Sequence, residues 1–336
     1  MNDIVYYETG STDAPYNLAM EEALADAVSQ GAQGSFLLWQ NSPAVIIGRN
    51  QNAFSEVNLA ELRQRGYHLV RRMTGGGAVY HDLGNLNFSF ILPLDQYQEP
   101  KAEELLAPLI AYFKSLGAEV VMEGRNDLSI VGKGKFSGLA SRRLPNGWQL
   151  HGTIMFDVDT SVLEHVLLVD PEKYRSKGVA SVRARVTNLK EHIDIDLFQL
   201  WAGIKAVYGY EEVPIPEDIR MAARKLADQK YGIDAWNIGQ SPPSDIMLKR
   251  RFPFGSLQLH LRTRKNEIVE ARLTGDFLAP SQHADLLPIE KLEAALIGQP
   301  ADQPDSWRQA WQSFDLTKAF HGQVDQTEIE KWLSGA

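Results

Sequence analysis

The sequence predicts an α+β protein, with a mixed, largely antiparallel sheet covered by helices and a small α+β C-terminal domain behind it. Three observations predict this. Strand-like segments follow one another in hairpin fashion, without the regular strand-helix alternation of a parallel doubly wound sheet. The length of 336 residues gives room for about two domains at roughly 150 residues each. A stretch with Gly232, Gly239, Pro242 and Pro243 separates two such patterns.

Residues 3–8 and 35–48 read as strands, and residues 15–30 between them set Leu18, Ala19, Ala23, Leu24, Ala27 and Val28 at helical spacing. Pro15 suits a first helical turn, where a missing N–H costs nothing. Strand patterns recur at 67–72, 78–82, 86–92, 118–122, 127–139 and 148–156, with helical stretches near 54–66 and 101–116. Residues 194–229 are helical in pattern, and 231–244 read as a connection, which divides the chain into domains 1–243 and 244–336. In the second domain 247–252, 256–262 and 267–273 read as strands, followed by helices near 289–297, 305–312 and 325–334. The chain carries no internal repeat and no low-complexity tract.

A net charge of −9, with 23% charged and 44% hydrophobic residues, is globular in balance. It lacks the broad basic field that non-specific nucleic-acid or anionic-membrane binding needs, so any anion site must be local. The absence of cysteine removes disulfides, thiolate metal ligands and cysteine nucleophiles. The start, MNDIVYYETG, lacks a secretory leader's basic and apolar regions, and no run of about 18 apolar residues follows anywhere. These features lead us to expect a soluble cytoplasmic protein without nucleic-acid or membrane partners.

The densest chemical signal runs from Arg71 and Arg72 through Met73, Thr74, Gly75, Gly76, Gly77, Ala78, Val79 and Tyr80 to His81 and Asp82, then to Asn85. Consecutive glycines suit a place where backbone meets a ligand closely or adopts positive φ, and two arginines beside exposed N–H groups make an anion cradle. Neither the Walker nor the dinucleotide glycine spacing is present, and the loop lies between strands, so a glycine-rich hairpin with surface arginines stays open. Adjacent strand residues point to opposite faces, which argues against His81 and Asp82 acting as a catalytic pair, and a structural role is expected for His81. No histidines show the spacing of a zinc site.

A second cluster joins Gly124 to Asp127, Lys133 to Gly138, and His151 to Thr153. Lys135 is followed by small residues that leave room for a ligand beside it. Asp127 could place a Mg²⁺ ion, which needs only one or two protein carboxylates when phosphates supply other ligands. A third cluster, from Lys173 to Asn188, gathers five basic residues around Gly178, the pattern of a local anion contact on a loop able to move. For each cluster a solvated surface is the alternative.

Taken together these residues resemble the lipoate-protein ligase family, in the R-R-x-[ST]-G-G-G-A-V-x-H-D-x-G-N run at 71–85, N-D-L and K-F-S-G at 126–138, H-G-T at 151–153 and the basic run at 176–189. Residues 17–22, 39–51 and 236–242 extend the match over nearly the whole chain. The resemblance implies a biotin/lipoyl ligase-like core related to class II aminoacyl-tRNA synthetases, and a two-step reaction. Lipoate and Mg-ATP give lipoyl-AMP and pyrophosphate, and an acceptor lysine then displaces AMP. It implies that Arg72, Gly77, Ala78, Val79, Tyr80, Lys135, Lys177 and Gly178 contact nucleotide or adenylate. It places lipoate against Asn17, Trp39, Arg72, Thr74, Gly75, Gly76, Asn85, Lys135, Gly138 and His151, with Lys135 the catalytic residue and Asp127 at Mg²⁺.

Residues 69–77 match the family's lipoate-binding loop, and 173–186 its mobile adenylate-binding loop. The acceptors implied are apo lipoyl domains of 2-oxoacid dehydrogenase acyltransferase subunits, the glycine-cleavage H protein or a related carrier, with the ligase acting as a monomer. The family's departures here are Thr74, where Ser is also common, and the apolar Leu139-Ala140, which leaves lipoate against octanoate preference open. Octanoyltransferases of related fold need a catalytic cysteine, which this chain lacks, and the motifs match the lipoyl branch better than biotin ligation. A non-catalytic lipoate- or lipoyl-domain-binding homologue is the alternative, against which intact Lys135 and Arg72 weigh. The C-terminal domain, holding none of the clusters, is expected to gate access without performing chemistry.

Overall fold

The computed structural model describes residues 4–94, 100–124, 126–168, 186–239, 244–277, 288–320 and 324–333. Among them, eight strands form one sheet: β1 (Ile4–Glu8), β2 (Gly34–Trp39), β6 (Asn85–Pro93), β7 (Val120–Glu123), β8 (Asp127–Ile130), β9 (Gly134–Leu144), β10 (Gly147–Met155) and β11 (Glu211–Glu212). Their spatial order is β11-β1-β2-β6-β10-β9-β8-β7. β1 pairs in parallel with β11 and β2, and the other pairs are antiparallel, as the hairpin-style sequence order predicts. A small sheet of β4 (His68–Arg71), β3 (Ala44–Ile47) and β5 (Val79–His81) stands beside it.

Period-two alternation sorts the main sheet's side chains. Tyr6, Phe36, Phe88, Phe90 and Leu150 turn to one face and pack with Leu106, Leu109 and Leu200 of the helices Ala102–Ser115 and Leu197–Tyr208. Tyr7, Leu37, Trp39 and Ile91 turn to the other, against helix α1 (Ala14–Ser29), whose Asp13 cap accepts from Tyr16 N–H and whose Pro15 sits in the first turn. The polar residues of β6 and β10 that matter below, Asn85, Asn87, Ser89 and His151, occupy the alternate positions and share the α1 side.

Several predicted elements divide. The strand expected over 35–48 is β2 and β3, and that over 127–139 is β8 and the start of β9, broken by a turn at 131–133. The helical pattern over 194–229 holds two helices with β11 between them, because Gly209 takes a left-handed φ of 62° and closes the first. The C-terminal region carries an antiparallel sheet of β12 (Ile246–Phe252), β13 (Gly255–Arg264) and β14 (Glu267–Gly275), backed by helices Ile289–Leu296, Pro304–Trp311 and Gln326–Leu333 around Trp307, Trp311 and Leu292. No helix among the described residues is long and apolar enough to cross a membrane.

Candidate active site

A cavity of about 630 Å³ opens on the α1 side of the sheet, between the main sheet, the glycine loop and the β12–β13 tip. Lys135 reaches it because Phe136 beside it enters the core, so the lysine turns to the opposite face. Its Nζ donates to Asp127 Oδ1 at 2.6 Å, across the β8–β9 hairpin. Gly138 leaves room for this placement, since a Cβ there would stand 3.0 Å from Lys135 Nζ. Lys133, two residues earlier, is exposed in the turn.

The two neighbouring arginines do different work, which corrects the expectation of a paired cradle. Arg71 is fully buried and turns away from the cavity, donating to the carbonyls of Gly48, Arg49, Gln51, Trp236 and Asn237. It staples the loop after β3 to the segment leading into the C-terminal region. Arg72 faces the cavity, yet it spends four N–H groups on Thr74 Oγ1, Ile46 O, Gly75 O and Gly77 O, so its first task is to shape the glycine loop. Burial lowers both guanidinium pKa values, to about 9 for Arg71 and about 10 for Arg72. Gly76 needs its hydrogen side chain: φ is +94°, and the backbone of Gly48 lies so near that a Cβ on Gly48 would stand 2.1 Å from Gly76 O.

A buried polar chain closes one end of the cavity. Trp39 Nε1 donates to Ser89 Oγ (2.9 Å), Ser89 donates to Glu21 Oε1 (2.6 Å), and His151 Nδ1 meets the same carboxylate at 2.9 Å. His151 Nε2 lies 2.8 Å from Thr74 Oγ1, which in turn accepts from Arg72 Nε. With Thr74 donating to Nε2 and His151 donating from Nδ1, every hydrogen in the chain has an acceptor, and this assigns the imidazole tautomer by donor accounting. Burial opposes the charge on Glu21 most strongly, but the imidazole of His151 and the hydrogen bonds from His151 and Ser89 outweigh it and hold the pKa below the usual glutamate value.

Sequence reasoning missed Glu21 and Ser89. The signal for Ser89 was the alternation of Asn85, Asn87 and Ser89 along a strand otherwise made of Leu and Phe.

Of the other expected residues, Trp39, Gly76, Gly77, Ala78, Val79, Tyr80, Asn85, Gly138 and His151 line the cavity. Asn17 lies behind the wall instead, donating to Ser11 O, Gln40 O and Asn41 Oδ1, and its neighbour Leu18 is the one that faces the cavity. Thr74 and Gly75 support the wall through Arg72. Lys177 and Gly178, with most of the basic run, lie outside the described residues. His81 does not pair with Asp82, whose carboxylate accepts from Gly84 and Asp159 N–H. It lines the cavity, however, with Nδ1 on Asn41 and Nε2 without a partner among the described residues. Asn85 Oδ1 and Ser137 Oγ line the same cavity, buried and without a partner among the described residues, polar atoms that a bound ligand would satisfy. Burial, then the positive charge of Arg72, pushes the His81 pKa down to about 3.

The C-terminal region, expected to gate access, also lines this cavity with Arg251 and Asp276. Their signal in sequence, an Arg-rich strand, reads equally as a solvated edge. Among the described residues no three acidic or histidine side chains gather as a metal cluster.

Comparison with known proteins follows the same division. The model of the lipoyl protein ligase A/B catalytic domain matches residues 13–204, and that of the bacterial lipoate protein ligase C-terminus matches 241–333. Lipoate–protein ligase 1 of Staphylococcus aureus is 34% identical over 330 residues, covering 96% of this chain and 97% of that one. Among solved structures, P. falciparum LipL1 in complex with lipoate superposes with a TM-score of 0.77 at 19% identity, over 99% of this chain and 100% of that one, and shares the fold. A bipartite lipoate protein ligase with its E2 lipoyl domain from Thermoplasma acidophilum gives 0.61 at 30% identity, covering 73% of this chain and 99% of that one. A lipoate-protein ligase A bound with ATP gives 0.58 at 27% identity, covering 71% and 98%.

Proposed function

The chain belongs to the lipoate-protein ligase family, and on that premise we propose that it activates lipoate with ATP and transfers the lipoyl group to a lysine of an acceptor lipoyl domain. The observation that carries this reading is Lys135, a cation fixed by Asp127 at 2.6 Å in a cavity it shares with the glycine loop. Adenylation joins two anions that repel, the lipoate carboxylate and the α-phosphate. A carboxylate oxygen forms a bond to the α-phosphorus, and the bond to pyrophosphate breaks. Lys135 lies where a preorganised cation lowers the cost of the charge gathered between them.

In the second step the acceptor amine attacks the acyl carbonyl and AMP leaves, so the same cation serves and no protein nucleophile is required. Gly77 to Tyr80 border the nucleotide's place, and Arg72 keeps the loop open to it. Trp39 and His151 border the dithiolane ring. Asp127 fits a Mg²⁺ ion in donor type, as one carboxylate beside phosphate ligands, and the ion would supply further charge neutralisation.

The T. acidophilum ligase was solved with its E2 lipoyl domain, which supports lipoyl domains as acceptors. Apo forms of 2-oxoacid dehydrogenase acyltransferase subunits and of the glycine-cleavage H protein are the candidates. Mass spectrometry of each after incubation with lipoate, Mg-ATP and this protein should find the lipoyl mass on one lysine. Unchanged mass on all, with wild-type protein folded, would reject the assignment.

A further inference from the structure

We propose that Arg251, on the first strand of the C-terminal sheet, binds the β- and γ-phosphates of ATP during adenylate formation. The inference rests on the ligase reading above and deepens it.

Arg251 and Asp276 line the same cavity as Lys135 and Asp127, so each of these two cations stands beside a carboxylate. Arg251 Nη1 donates to Ser256 Oγ at 3.1 Å and stands 3.5 Å from Asp276 Oδ2, while Asp276 Oδ1 accepts the N–H of Ser256. The guanidinium is thus fixed through one nitrogen. Its remaining N–H groups meet no acceptor among the described residues, and the side chain is 29% exposed, on a wall of the cavity.

Its distance from the glycine loop is also set. Gly275 N–H donates to Asn50 O at 2.7 Å, in the loop whose Gly48 packs on Gly76. The β14 end next to Asp276 is therefore tied to the same backbone that shapes the phosphate-facing loop.

Charge accounting selects the phosphates. Arg72, Lys135 and Arg251 are the lysine and arginine side chains among the described lining residues, against the carboxylates Glu56, Asp127 and Asp276. Arg72 is occupied by the loop and Lys135 is placed for the reacting carboxylate and α-phosphate. Arg251, with a planar fork of donors, suits the leaving pyrophosphate, on which charge develops as its bond to the α-phosphorus breaks. The transfer step expels AMP, which has no β- or γ-phosphate for Arg251 to meet.

The test uses the full chain with Arg251→Gln and Arg251→Lys. Three quantities are read: lipoate-dependent ATP–pyrophosphate exchange, transfer from supplied lipoyl-AMP to an apo lipoyl domain, and inhibition of exchange by AMP. For Arg251→Gln, exchange should fall about 10–100-fold, the worth of hydrogen bonds to a charged group. Transfer and AMP inhibition should stay within about twofold of wild type, because neither involves the outer phosphates. Arg251→Lys should recover part of the exchange, having the charge without the fork. Exchange unchanged in Arg251→Gln would overturn the proposal, and so would an equal loss in exchange and transfer, the mark of a merely structural role. Wild-type protein without lipoate-dependent exchange would instead remove the ligase reading beneath it, a result seen before any variant is compared.

Discussion

The two ends of the cavity are built on opposite plans. At the closed end, Trp39, Ser89, Glu21, His151 and Thr74 form a buried chain in which every donor has an acceptor. At the open end, Lys135 and Arg251 line the cavity, each beside a carboxylate. A satisfied buried network fixes shape and is costly to disturb, whereas a tethered cation at a partly exposed wall is cheap to remove and acts only on a charged substrate. Shape selection and chemistry are thereby assigned to different residues, and variants at the two ends should fail differently.

The largest expected effect is on stability at the closed end. Glu21→Ala strands the buried Ser89 hydroxyl and His151 N–H, at about 1–3 kcal/mol each, so urea unfolding should show a loss of about 2–6 kcal/mol. At the open end, Lys135→Ala should slow lipoyl-AMP formation about 10²–10³-fold, read as lipoate-dependent pyrophosphate release. That variant also removes the 2.6 Å ion pair with Asp127, so its stability should fall slightly. Lys133→Ala, in the exposed turn, should leave both quantities unchanged.

Trp39→Val tests the closed end as a shape filter. It removes apolar contact and the donor to Ser89, costing about 1–3 kcal/mol, and should admit bulkier carboxylates in an adenylation assay. An unchanged substrate range would take Trp39 out of the pocket.

The smallest effect is a pH dependence. His81 stays neutral when folded, with its pKa pushed down to about 3 from 6.5. As pH falls below 6.5 the unfolded chain takes a proton that the folded one refuses, so the stability this group provides is whole above 6.5 and is lost progressively towards 3. Between pH 7.5 and 5.5 the wild type should lose about 1 kcal/mol more than His81→Gln in urea unfolding. Equal losses would mean that His81 titrates normally in the folded protein.

At the open end Lys135 was legible in the residues themselves and Arg251 was not, while the closed end showed only through family resemblance and in part, for a physical reason. Lys135, Gly138 and the glycine loop lie in short contiguous runs, because a hairpin and a tight loop place chain neighbours together. The small residues after Lys135 signalled the space that Gly138 provides. Members of the closed end come from α1, β2, β6, β10 and the glycine loop, and only the sheet order β2-β6-β10 brings Trp39, Ser89 and His151 side by side. Family resemblance supplied Trp39, Thr74 and His151, whereas Glu21 lay in the matching run 17–22 with no role assigned to it, a helical glutamate that would ordinarily face water. The two arginines misled for a related reason: adjacency in sequence suggested one cradle, but strand alternation sends them to opposite sides. The mixed, mostly antiparallel sheet was readable from hairpin order, while the splitting of long strand-like and helical runs depended on local turns.

The account is tested most directly by a crossed measurement on Lys135→Ala and Glu21→Ala, with the rate of lipoyl-AMP formation and the free energy of unfolding read for both. Relative to wild type, Lys135→Ala should show the larger loss of rate and Glu21→Ala the larger loss of stability. Parallel losses of both quantities in the two variants, or an adenylation rate that survives without Lys135, would contradict the division of the cavity into a shaping end and a chemical end.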